Sequence, residues 1–141
     1  MRTPVTPARI VRELFVSSRP VSWINTAYPF AAAYLLTTRE IDLRLIIGFV
    51  FFLIPYNLAM YGINDVFDYE SDLRNPRKGG AHGAVLDRRM HGITLWAAGL
   101  SCAPFVIWLV ASGTWPSCIV LALSLFFVVF YSAPPLRLKE V

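Results

Sequence analysis

The sequence has 141 residues, of which 56% are hydrophobic and 16% charged, and its formal net charge is +4. Together with a positive mean hydropathy, this excludes an ordinary soluble core and places the chain among membrane proteins. The basic surplus reports topology and contact with anionic lipid, and it does not call for nucleic acid as a partner.

Thr6-Pro7 is an N-cap followed by proline at the first helical position. Ile10, Val11, Leu14 and Phe15 then alternate with Arg9, Arg12 and Glu13, which predicts a short interfacial helix over 6–19. No sustained apolar core precedes Arg19, so the first span is expected to serve as the insertion signal.

Three stretches lack Asp, Glu, Lys and Arg: between Arg19 and Arg39, between Arg44 and Asp65, and from Met90 to Leu136. A span needs about 20 mostly apolar residues. The third stretch is broken by Ser112-Gly113-Thr114-Trp115-Pro116-Ser117, so four spans are expected, at 21–38, 45–64, 93–111 and 118–132. The fold class is therefore all-α, a polytopic membrane helix bundle. With the N-terminus inside, eleven of the thirteen Lys and Arg fall on the inner side and only Arg39 and Arg44 on the outer. That asymmetry places the N-terminus in the cytoplasm of a multi-pass plasma-membrane protein.

The first span contains Asn25, Thr26 and Pro29. These are expected to face protein or a cavity, either in interhelical hydrogen bonds or in substrate contact, because unpaired polar groups are costly in hydrocarbon. The second span carries Pro55 and Asn57, with Tyr61 one turn before Asn64. If this helix continues past Ile63, Asn64, Asp68 and Asp72 form one stripe down a single face. Stacked carboxylates repel unless a cation lies between them, and oxygen donors at this density suit Mg²⁺. Asp65 and Glu70 fall off the stripe and are expected to be solvated or paired with loop arginines.

A cytoplasmic loop follows over 73–90, with Arg74, Arg77, Lys78, Arg88 and Arg89 and a bend at Gly79-Gly80. Arg77 and Lys78 are the candidates for holding phosphate. His82 and His91 have no partner at metal-ligand spacing. Cys102 and Cys118 form no Cys-x-x-Cys pattern and read as small buried hydrophobes. Trp96, Trp108 and Trp115 suit interfacial belts. The chain closes on Tyr131-Ser132-Ala133-Pro134-Pro135-Leu136-Arg137-Leu138-Lys139, which returns Tyr131 and Lys139 to the face of the aspartates.

The Asn-x-x-x-Asp-x-x-x-Asp motif, Arg77 five residues later and the closing Tyr-Ser-x-Pro-Pro-Leu-Arg-Leu-Lys resemble the UbiA superfamily of intramembrane prenyltransferases. The stretches from Ser18 to Phe30 and from Asn75 to Gly80 are similar to its lycopene elongase branch. Ala81-His82 stands where the commoner loop has a further Arg-Pro, which also favours that branch. The family has about nine helices and a second aspartate-rich motif, so these residues look like an N-terminal half.

The resemblance implies that Asp68, Asp72 and Asn64 bind Mg²⁺ bridging to the diphosphate of dimethylallyl diphosphate, with Arg77, Lys78 and Lys139 on the leaving group. Tyr131 would stabilise the allylic cation through its ring, and lycopene would be the acceptor. Asn25 and Tyr61, from their places on the first and second spans, are further substrate-binding candidates. Prenylation of an aromatic or quinone precursor is the alternative within the family. A non-catalytic divalent-cation-binding membrane protein or half-transporter is the alternative of another class.

Overall fold

The structure is a computed structural model that describes residues 4–78 and 85–141; Gly79, Gly80, Ala81 and His82, singled out above, lie outside them. All regular structure among the described residues is helical: α1 Pro7–Ser17, α2 Trp23–Thr38, α3 Leu43–Leu53, α4 Pro55–Phe67, α5 Tyr69–Asp72, α6 His91–Ser112 and α7 Trp115–Phe130. Short 3₁₀ turns stand at Pro20–Ser22, Arg88–Met90 and Leu138–Glu140.

α1 begins as expected, with Thr6 Oγ1 accepting from the Arg9 amide at 3.2 Å. The helix is tied at two points. Arg9 reaches Asp87 Oδ2 at 2.9 Å, and Ser17 at its other end donates to Asp65. Arg89, first through its side chain and then through its amide, holds the Asp87 carboxyl well below the usual carboxylate range, with Arg9 adding to the effect.

Among the described residues, two helical stretches are long and apolar enough to cross a membrane, Leu43–Phe67 and Arg88–Ser112, each of 25 residues. α2 and α7 have 16 residues each, about 24 Å at 1.5 Å per residue. That is shorter than a hydrocarbon core of about 30 Å. The first of the long stretches is broken at Ile54, whose φ of −115° and ψ of −66° separate α3 from α4. Pro55 is the cause, because it lacks an N–H and its ring crowds the preceding turn.

Asn57 repairs this break. It is wholly buried, and its Nδ2 lies 2.9 Å from both Phe52 O and Leu53 O and 2.7 Å from Thr26 Oγ1. Thr26 in turn donates to Phe52 O at 2.6 Å, so the polar residue of α2 that faces protein serves to join α2 to the break. Asn25 and Pro29 lie on the exposed side of α2 within these residues. Around the break, Phe30, Phe51, Phe52 and Tyr56 pack ring against ring at 5.0–5.8 Å. The Phe30 ring occupies the space a side chain on Gly48 would need, at 2.2 Å from an added Cβ. Phe51, Leu58, Ala59, Ala98, Cys102 and Val128 form the core where α3, α4, α6 and α7 meet. Cys102 is one of the small buried hydrophobes expected, and its thiol donates to Pro55 O at 3.3 Å.

Asn57→Ala strands the carbonyls at the break and is expected to destabilise the protein by about 1–3 kcal/mol, read as a lower midpoint in reversible denaturation in mixed micelles. The depressed Asp87 carboxyl contributes stability that is full above its unfolded pKa of about 3.9 and declines as acidification approaches its lower folded value. Protection of α1 amides from hydrogen exchange is therefore expected to hold from pH 7 to 4 and to fall below that, and Asp87→Asn should lower it already at pH 7.

Candidate functional site

The acidic stretch does not remain one helix. α4 ends at Phe67, and Asp68 takes φ −97° and ψ 3° before the single turn of α5, the bridge region that recurs at functional sites. The spacing survives the interruption: the Asp68 amide donates to Asn64 O at 2.9 Å and the Asp72 amide to Asp68 O at 2.8 Å. The three side chains then diverge to different partners. Asn64 Oδ1 accepts from Ser132 Oγ at 2.6 Å. Asp68 contacts Lys139 directly, with Arg137 at 3.9 Å. Asp72 is buried, and its Oδ2 lies 2.8 Å from Lys78 Nζ.

Asp65 corrects the sequence reading most. It is only 1% exposed and accepts from Ser17 Oγ, Arg19 Nη2 and Lys78 Nζ, each at 3.1 Å. It is neither solvated nor paired with a loop arginine, because a carboxylate on the α1-facing side of α4 has to recruit cations from elements that cover it. Glu70, by contrast, is exposed and pairs with the loop residue Arg88.

Arg19 and Arg137 both adopt the left-handed backbone region, at φ 50° and 40°. That conformation costs about 1–2 kcal/mol for a residue with a Cβ, and at both positions the guanidinium is engaged with an aspartate of the stretch. The Arg19 guanidinium also lies over the Tyr61 ring, 4.2 Å from its centroid, a cation–π contact. Burial lowers the Lys139 ammonium from its ordinary pKa, with Glu140 countering.

Beside this ionic cluster lies a cavity of about 610 Å³ between α4 and α7, bordered by Arg19, Tyr61, Asn64, Phe127 and Tyr131 among others. Two polar groups of its lining satisfy each other, Tyr56 Oη and Ser124 Oγ, at 2.7 Å. A mostly aromatic and aliphatic chamber thus opens beside a ring of paired aspartates and cations. This arrangement can seat an apolar chain with an anionic head.

Comparison with known proteins gives this arrangement a family. The profile of the UbiA prenyltransferase family matches residues 26–141. The chain belongs to the UbiA prenyltransferase family. It is 61% identical over 130 residues to a lycopene elongase/hydratase of Corynebacterium glutamicum, covering 92% of this chain and 45% of that protein. It is 58% identical over its whole length to the C(50) beta-cyclic carotenoids biosynthesis protein LbtBC of Dietzia sp., of which it covers 33%. A lycopene elongase/hydratase of Halobacterium salinarum is 36% identical over 132 residues, covering 91% of this chain and 46% of that protein. The chain therefore spans less than half the length of these relatives. No solved structure matches the chain.

UbiA enzymes bind Mg²⁺ through aspartate-rich motifs, and the donor chemistry here fits a hard cation. Among the described residues, the buried Asp72 Oδ2 has no aligned hydrogen-bond donor, only the ionic contact with Lys78. Among the described residues no three His, Cys, Asp or Glu are gathered into one metal-sized group. The set therefore suits an ion that takes one or two carboxylates and completes its shell with water and phosphate oxygens.

Of the residues singled out from the sequence, Asn64, Tyr61 and Tyr131 border the cavity, while Asp68, Asp72, Lys78 and Lys139 form the ionic cluster beside it. Asn25 is not among them, and Arg77 is exposed with no ion pair among the described residues. Sequence reasoning missed Arg19, Asp65, Ser17 and Ser132. The signal for Arg19 and Asp65 was available as an Arg-Pro at one span's start and a second acid at another's end. His91 stacks edge-on against Tyr69 at 5.1 Å and serves packing.

Asp65→Ala leaves Arg19 without its anion and is expected to cost about 3–5 kcal/mol. The measurement is the denaturation midpoint, with Glu70→Ala as the exposed control expected to change it by no more than about 0.5 kcal/mol.

Proposed function

We propose that these residues form the diphosphate end of an intramembrane prenyltransferase that moves a dimethylallyl group from its diphosphate onto a lipophilic acceptor. The observation that carries this reading is the adjacency of the paired aspartates to the apolar cavity, with Arg19 common to both. Lycopene is the acceptor proposed, because relatives at 61% and 36% identity are named for its elongation. Since the chain covers 45% of the corynebacterial relative, the reading is of a whole enzyme to which these residues contribute.

In this reading the cluster lies on the cytoplasmic side of the plasma membrane, and α2, α3–α4, α6 and α7 make four crossings. The inner surplus of Lys and Arg supports that orientation. Lys78, Lys139 and Arg77 hold the diphosphate oxygens, and Asp68, Asp72 and Asn64 hold the Mg²⁺ that, when bound, neutralises charge on the departing diphosphate. Ionisation of the allylic C–O bond leaves the electron pair on diphosphate and a cation in the cavity. Tyr61 and Tyr131 offer ring faces to that cation, and the apolar lining keeps water from intercepting it. A terminal double bond of the acceptor then forms the new C–C bond, and the resulting cation loses a proton or takes up water.

Membranes of a lycopene-producing host that expresses the complete gene product are expected to yield a heavier carotenoid when supplied with dimethylallyl diphosphate and Mg²⁺. Asp68→Asn and Asp72→Asn should each lower turnover by at least about 100-fold. Lycopene left unchanged by the active protein rejects the acceptor, and full activity in either variant rejects the assigned aspartates.

A further inference from the structure

Asp65, Asp68 and Asp72 face Arg19, Lys78, Arg137 and Lys139. With Glu140, which lies 3.0 Å from Arg137, four carboxylates face four cations and the cluster is neutralised from within. A bare divalent cation entering it has to displace an ammonium from a carboxylate already desolvated. A diphosphate offers that displaced ammonium a new anion.

Lys78 occupies the decisive position. Its side chain is 9% exposed, and its ammonium lies 3.1 Å from Asp65 Oδ1 and 2.8 Å from Asp72 Oδ2. That Asp72 oxygen is buried and, among the described residues, has no other donor. A cation that takes it competes with the ammonium for it. Asp65, however, does not depend on Lys78 alone, because Arg19 and Ser17 also serve it. Withdrawal of Lys78 therefore uncovers Asp72 and leaves Asp65 paired.

We propose that Lys78 is a tethered counter-ion that keeps the place of the metal, so that the cluster takes a divalent cation only together with a diphosphate, whose oxygens draw Lys78 away from Asp72. Rested on the proposed diphosphate site, this assigns the order of loading: the metal enters as its diphosphate complex, and the free ion is refused. Emptying of the site after turnover follows the same rule, since loss of diphosphate returns Lys78 to Asp72 and expels the ion.

Equilibrium dialysis of the purified full-length protein in phosphatidylcholine nanodiscs tests this with Mn²⁺ and inorganic pyrophosphate as probes. The native protein is expected to retain Mn²⁺ at least about tenfold more tightly with pyrophosphate than without, a coupling of about 1.4 kcal/mol. Lys78→Met and Lys78→Gln should bind Mn²⁺ alone at least about tenfold more tightly than the native protein, and Mn²⁺ alone should raise their melting temperature. Native protein that binds Mn²⁺ equally well with and without pyrophosphate overturns the inference without any variant having to fold. So do folded Lys78 variants with native Mn²⁺ affinity, while retained pyrophosphate leaves the diphosphate reading standing. If the native protein retains neither probe in any combination, the diphosphate reading falls and this inference falls with it.

Discussion

A carboxylate that is 1% exposed must be neutralised from within, and the end of the molecule that holds the candidate site is arranged to do this for Asp65. Its three partners come from the last residue of α1, from the connection into α2 and from the segment after α5. The first two are near neighbours in the chain, and the third is brought to them from a distant segment through this anion. Coulomb attraction at low dielectric is strong enough to hold them, and the cost of leaving any buried charge unmet makes the set mutually dependent.

The cavity inherits its mouth from that constraint. Arg19, once fixed by Asp65, lies across Tyr61, and Tyr61 and Asn64 are one turn apart on α4. From the opposite side, Ser132 and Lys139 approach Asn64 and Asp68 as the chain returns after α7. The polar rim is thus assembled from both ends of the chain, while the apolar wall between α4 and α7 needs only ordinary packing. Polar precision and apolar volume are supplied by different elements, which lets the interior vary while the rim stays the same.

How much of this was legible in the sequence depended on whether the signal was local. α1 and its Thr6 cap follow from residue types and near neighbours, and the structure has that cap where the sequence put it. The Asn64–Asp68–Asp72 spacing was readable, but its continuation as one uninterrupted helix was not, because the conformation at Asp68 answers to Lys139, 71 residues away. Asp65 was misread for the same reason. Which side of a helix becomes buried at a polar terminus is decided by the elements that cover it, and neither Ser17 nor Arg19 advertises its partner. For α2 the sequence offered Asn25 and Thr26 alike, and within these residues it is Thr26 that turns inward.

The break between α3 and α4 bears on how the protein enters a bilayer. Its halves have 11 and 13 residues, about 16 and 20 Å long, so neither crosses the hydrocarbon alone and the two must insert as one segment. Two of the acceptors that Asn57 serves, the carbonyls of Phe52 and Leu53, belong to that same segment. The kink therefore carries its own repair into the membrane, and insertion of this segment need not wait for α2 to dock against it.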